Sequence, residues 1–82
     1  MDAIQVDRDT LRASVVIVPM HDRDGYYYEV VDPDGDCYTA CWTLEQAIWY
    51  GWQCLREAQD AERNHNRRLL LKVAGGYQEF TK

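Results

Sequence analysis

The residues with the strongest claim to chemistry are Asp32, Asp34 and Asp36, carboxylates at every second position around Pro33 and Gly35. This spacing matches the first three liganding positions of an EF-hand loop, whose oxygen ligands enclose a calcium ion. The match then ends. Gly35 falls too early, the twelfth position is Thr43 instead of a bidentate glutamate, and no helix precedes the loop. Asp32-Pro33-Asp34-Gly35 reads instead as a turn, with Pro33 presetting φ and Asp32 able to bond the backbone. The cysteines are Cys37, Cys41 and Cys54, and an odd count suggests reduced thiols. Cys37 and Cys41 in one strand would lie about 13 Å apart, too far for a disulfide or a shared tetrahedral metal. His21 and His65 flank acids and bases in turn-like segments, and Ser14, the single serine, begins an apolar run. There is no nucleophile elbow, phosphate-cradling glycine loop or metal-ligand spacing. The expectation is a domain that binds instead of catalysing, with no catalytic residue, no cofactor and no metal.

Charge and aromatic residues point to what such a domain would bind with. The formal net charge is −5 over 82 residues, and it is concentrated in residues 1–36, where nine acids oppose Arg8, Arg12 and Arg23. Asp22, Asp24, Glu29, Asp32, Asp34 and Asp36 would form an acidic edge that repels phosphate backbones and attracts basic surfaces. A solubilising surface is the plainer reading of the same charges. Tyr26, Tyr27 and Tyr28 are consecutive, so in a strand they cannot all face one way. Tyr27 and Tyr38 are expected beside Glu29 on the face away from the core, either as interface residues or as a shield for the sheet. Trp49 and Trp52 lie one stripe away from the core face of a helix, one suited to cap the core edge and the other to form an exposed indole patch. Stacked aromatics also suit single-stranded nucleic acid. Here they lie in the acidic half, and only Arg63, Arg67, Arg68 and Lys72 form a basic group, so the charge argues against direct nucleic-acid binding.

These side chains need elements to position them. The run Thr43-Leu44-Glu45-Gln46 has capping-box form, and apolar residues follow at Leu44, Ala47, Ile48, Gly51, Leu55 and Ala58. That predicts a helix of about twenty residues. Before it, Ala13–Met20, Tyr26–Val31 and Asp36–Cys41 read as strands, joined by turns at His21–Gly25 and Asp32–Gly35. After it, Arg68–Val73 reads as a strand, Gly75-Gly76 as a break and Tyr77–Phe80 as a short segment. Ala3–Val6 is either a short edge strand or loose. A symmetric hairpin turn would set Val30 opposite Cys37, Tyr28 opposite Thr39 and Tyr26 opposite Cys41 on the inner face. The predicted fold class is α+β: one domain over 1–82, with an antiparallel meander of three to five strands packed on one face by a single long helix.

At Tyr28-Glu29-Val30-Val31, the Asp-Pro-Asp-Gly turn and Thr43-Leu44-Glu45-Gln46-Ala47, the sequence resembles the strand–strand–helix core of HicB-type antitoxin domains. In overall character it is similar to phage-encoded anti-CRISPR proteins, which are short, acidic and compact. Both resemblances imply an inhibitor that acts by binding, the second one by occupying a basic guide- or DNA-binding surface. The expected partner is a protein with a basic surface. Self-association into a homodimer, or a small ligand-binding or enzymatic domain, stands as the alternative. No apolar run approaches the ~20 residues of a membrane span, and the first residues lack the basic-then-apolar pattern of a secretory signal. Both point to a cytoplasmic protein.

Overall fold

Val15-Val16-Ile17 and Leu69-Leu70-Leu71 are apolar at consecutive positions, the pattern of strands covered on both faces. A computed structural model, which describes residues 3–32, 38–57 and 68–81, pairs these two runs side by side at the centre of a sheet. In chain order the elements are helix α1 (Arg8–Ala13), strands β1 (Val15–Asp22), β2 (Gly25–Val31) and β3 (Tyr38–Cys41), helix α2 (Leu44–Glu57), and strands β4 (Leu69–Val73) and β5 (Gly76–Phe80). The five strands lie in the order β3-β2-β1-β4-β5.

The α+β class stands, with strands, one main helix and further strands in the expected sequence. The all-antiparallel expectation does not. β1 and β4 pair in parallel, Val15 to Leu69 through Ile17 to Leu71, while the other three pairings are antiparallel. The cause is the α2 crossover. β3 runs alongside β1 in direction, and α2 carries the chain back to the end where β1 begins, so β4 starts there and runs the same way. The β1–β4 ladder stops at Ile17, two residues before Pro19, which has no N–H to extend it.

α2 starts where expected. The Gln46 N–H donates to Thr43 Oγ1 at 3.1 Å, and Ala47 N–H to the Thr43 carbonyl at 3.1 Å. The helix is described to Glu57, and the rest of the expected twenty residues falls outside the described ones. Its apolar stripe packs on the inner face of the sheet. Val15, Ile17, Val30, Cys41, Ala47, Cys54, Leu69 and Leu71 form the buried cluster, with Tyr28, Leu44, Ile48, Trp52 and Leu55 against it. Each fully buried aliphatic side chain here contributes roughly 1.5–3 kcal/mol relative to exposure. Gly51 brings α2 close to β4: a Cβ there would lie 3.2 Å from Leu69 Cδ2 and collide with Leu69 Cδ1.

Val16 and Leu70 point away from α2 and are buried all the same. The outer face is therefore covered at the end where β1 and β4 begin, which is also where α1 enters β1. The sequence gives no sign of this short helix, since the short strand or loose segment expected near the start is Ala3–Val6, ahead of it. Asp7 caps it, accepting from the Thr10 N–H at 2.7 Å, and Ser14 closes it by donating from Oγ to the Thr10 carbonyl at 2.6 Å. Ile4 makes a single antiparallel bridge to Tyr77, at the free side of β5.

Three further expectations change. Tyr28 pairs with Cys41 and Val30 with Thr39, a two-residue shift from the symmetric register. The shift is even, so each side chain keeps its face. Tyr26 does not face Cys41; it pairs with His21 beyond the end of β3 and is 75% exposed. Cys41 is free and buried, but Cys54 is disulfide-bonded, so the expectation of reduced thiols throughout does not hold. The Asp32–Gly35 turn beyond Asp32 and the whole of Cys37 lie outside the described residues.

Candidate functional site

The site is built from the β1–β2 hairpin and the last residues of β3. At the hairpin tip the Asp24 N–H donates to Asp22 Oδ1 at 2.8 Å, and Gly25 takes φ +119°, a region that side-chain-bearing residues rarely enter. The turn fixes Met20 opposite Tyr27 in the β1–β2 ladder, and in the β2–β3 ladder Glu29 stands opposite Ala40. Period-two alternation puts Met20, Asp22, Tyr27, Glu29 and Ala40 on the outer face, at the end of the sheet remote from α1.

Trp42 completes the arrangement. It stands between inward-facing Cys41 and the helix cap Thr43, so neither the sheet core nor α2 takes it in. It is 68% exposed. Its ring meets Tyr27 edge-on, with centroids 6.5 Å apart and planes at 68°. Between them is a depression of about 220 Å³ lined by Asp22, Tyr27, Ala40, Cys41 and Trp42. Ala40 forms the floor because its methyl leaves open the space a longer side chain would fill. Partial burial pushes the Tyr27 phenol pKa above its usual 10.0, and the carboxylates of Asp22 and then Glu29 push it the same way. The depression is thus aromatic-walled and electronegative. Burial likewise raises the Cys41 thiol above 9.0, which keeps it protonated and poorly nucleophilic at neutral pH.

No protein-family profile matches the chain, and no curated protein or solved structure matches it either.

The residues singled out in the sequence do not all gather here. Asp22, Tyr27 and Glu29 do, and Asp24 borders them at the hairpin tip. Asp32, just past the end of β2, is buried at 8% exposed. Asp34, Asp36 and the Tyr38 side chain fall outside the described residues. Trp52 packs against the core, the edge-capping role foreseen for one of the two helix tryptophans. Trp49 is 56% exposed and edge-on to Tyr50 at 5.0 Å. α2 lies on the inner face and Tyr27 on the outer, so the helix patch and the depression are on opposite sides of the sheet. One flat partner surface cannot meet both. Trp42 is the residue sequence reasoning missed. The signal for Trp42 was its place, one residue past a strand and one before a helix cap.

Other chemistry has less to build on. Ser14 is buried and its hydroxyl bonds the Thr10 carbonyl. His21 is exposed and stacked on Tyr26 at 4.3 Å. Among the described residues, no group of three or more His, Cys, Asp or Glu side chains is placed to hold a metal ion. No described helix is long and apolar enough to cross a membrane. In the expected basic group, Lys72 lies over the Tyr77 ring at 5.2 Å and Arg68 pairs with Glu79 at 3.4 Å. A larger depression of about 610 Å³ opens where β1 and β4 part, floored by Pro19, Tyr28, Leu44, Leu71 and Val73.

Proposed function

We propose that this protein is a non-enzymatic binding module that masks a basic surface of a partner protein, the mode of action of small antitoxin or anti-CRISPR inhibitors. The observation that carries this reading is the pairing of the exposed Trp42 with Tyr27 around a depression bounded by Asp22. A rigid aromatic pair supplies apolar area at little entropic cost, and the flanking carboxylates steer a cationic partner and reject an anionic one. Asp22, Asp24 and Glu29 provide the steering charge. The net charge of −5 extends that field over the chain.

The test is affinity capture from cells that carry the gene, run across a salt series with wild-type protein and with the Asp22→Asn/Asp24→Asn/Glu29→Gln variant. The reading expects one basic protein to be retained at low salt, released as salt rises, and lost with the variant. Capture insensitive to both salt and the substitutions overturns it.

Self-association is a second reading, and the Trp49–Tyr50 pair on α2 favours it. This pair is exposed on the side away from Asp22 and Glu29, where two copies would meet without setting those carboxylates against each other. Light scattering decides. A dimer that Trp49→Ala returns to monomer supports it, and a wild-type monomer at high concentration excludes it.

A further inference from the structure

We propose that the depression is an arginine-side-chain site, filled by an extended segment of the partner that adds a strand to β3 along the edge that no described strand pairs. This deepens the protein-binding reading above and rests on it. The edge comes first. β3 ends the strand order and has β2 as its one described neighbour, so alternate residues of the four from Tyr38 to Cys41 direct N–H and C=O away from the sheet. Natural sheets protect such edges with lysine, proline or bulges. Tyr38-Thr39-Ala40-Cys41 has no charged residue and no proline. At the far side of the sheet, by contrast, the Ile4 N–H and carbonyl bond Tyr77 of β5 at 2.8 and 2.9 Å.

The side-chain chemistry comes second. A strand laid along β3 would place alternate side chains on the outer face, level with Ala40 and Trp42. A side chain directed inward from there passes over the Ala40 methyl and reaches Tyr27, with Trp42 beside it. Glu29 stands directly across from Ala40, and Asp22 lines the same depression. Two aromatic rings and two carboxylates suit a long side chain with an apolar stem and a delocalised cationic head. Arginine has the reach and the planar guanidinium that stacks on rings and pairs with carboxylates. The volume of about 220 Å³ suits one side chain and is below the usual range for a small-molecule pocket. A second copy of this chain is a poor occupant, because antiparallel pairing of two β3 edges would bring the Asp22 and Glu29 faces of both copies together.

The test uses the whole protein, labelled with ¹⁵N, and the synthetic peptide acetyl-Thr-Val-Arg-Val-Thr-amide. The expected result is shifts in the amides of Tyr38–Cys41 and the Trp42 indole. Replacing arginine by citrulline, which has the same shape without the charge, weakens binding roughly five- to thirtyfold. Ala40→Leu fills the floor and weakens it likewise while leaving the remaining spectrum in place. Of two peptides N-methylated at arginine or at the following valine, one loses binding and the other retains it, because only one face of the added strand bonds β3. Lysine in place of arginine binds more weakly than arginine. Equal binding of the citrulline peptide overturns the cation site. Equal binding of both N-methyl peptides overturns strand addition, and shifts centred on Trp49 overturn both. If Trp42→Ala abolishes salt-sensitive capture of a partner and the arginine peptide leaves β3 unshifted, the protein-binding reading stands and this inference fails. If neither responds, both fail.

Discussion

Gly51→Ala tests how closely α2 is held to the sheet. In an exposed helix the change is favourable by about 0.8–1 kcal/mol, because alanine restricts the unfolded chain and suits the helix. Here the added methyl would collide with Leu69 Cδ1 and stand 3.4 Å from Leu69 Cγ. Leu69 is fully buried, and β4 is bonded to β1 on one side and β5 on the other, so the strand is held in place and the methyl must be met by a shift of the Leu69 side chain within the core. Overpacking of this kind costs about 1–3 kcal/mol. The net expectation is a loss of about 1 kcal/mol. The sign should reverse in a Leu69→Ala background. That variant alone loses about 2–5 kcal/mol, and the methyl at position 51 then enters vacated space, adding helix preference of about 1 kcal/mol and buried area of about 0.8 kcal/mol. The coupling between the two sites is therefore about 2–3 kcal/mol. Urea unfolding followed by far-ultraviolet circular dichroism measures all four proteins, with a constant slope confirming a shared transition. Stabilisation of the wild-type background by Gly51→Ala, or the same effect in both backgrounds, refutes the close packing.

Three predictions concern the groups that shape the termini and the site. Thr43→Ala removes the acceptor for the Gln46 N–H and should lower stability by about 1 kcal/mol in urea unfolding, with Thr43→Ser restoring most of it. Asp7 is held below the usual carboxylate value of 3.8, first by the Thr10 backbone N–H, then by the Thr10 hydroxyl, with Arg68 adding a smaller effect. A lowered folded pKa means stability that is present above the unfolded value and is lost as pH falls through the folded one. The stability gap between wild type and Asp7→Asn should thus be level above about pH 5 and shrink as the medium is acidified. Tyr27 ionises above 10.0, so its contribution is intact below that value and lost as pH rises through the folded pKa. Ultraviolet titration of the phenolates should find its ionisation at lower pH in Asp22→Asn/Glu29→Gln, and an unchanged titration would show that these carboxylates do not face it.

What could be read from the sequence was what depends on short range and parity. Thr43 and Gln46 marked the start of α2 because a cap needs only four residues. The faces of Tyr27, Tyr28, Glu29 and Val30 were legible because alternation survives an even register shift. The register itself was not, since it depends on a loop whose shape four turn-forming residues do not determine. Tyr26 was misplaced for a related reason. It has the right parity for the core, but β3 ends before reaching it. α1 carries no buried residue and so gave no apolar stripe. The parallel pairing of β1 and β4 was signalled by two non-alternating apolar runs, but choosing that partner requires knowing where α2 returns the chain. Trp42 belonged to neither period, and a residue between elements is visible only once both are in place.

The central claim is that the outer face around Trp42, and not the helix patch around Trp49, is the partner-binding surface. With the captured partner in purified form, calorimetric titration of wild type, Trp42→Ala and Trp49→Ala tests it most directly. We expect Trp42→Ala to weaken binding by about thirtyfold or more, the loss typical of a buried tryptophan anchor, with Trp49→Ala within about twofold of wild type. Strong loss with Trp49→Ala and near-wild-type affinity with Trp42→Ala would contradict the account.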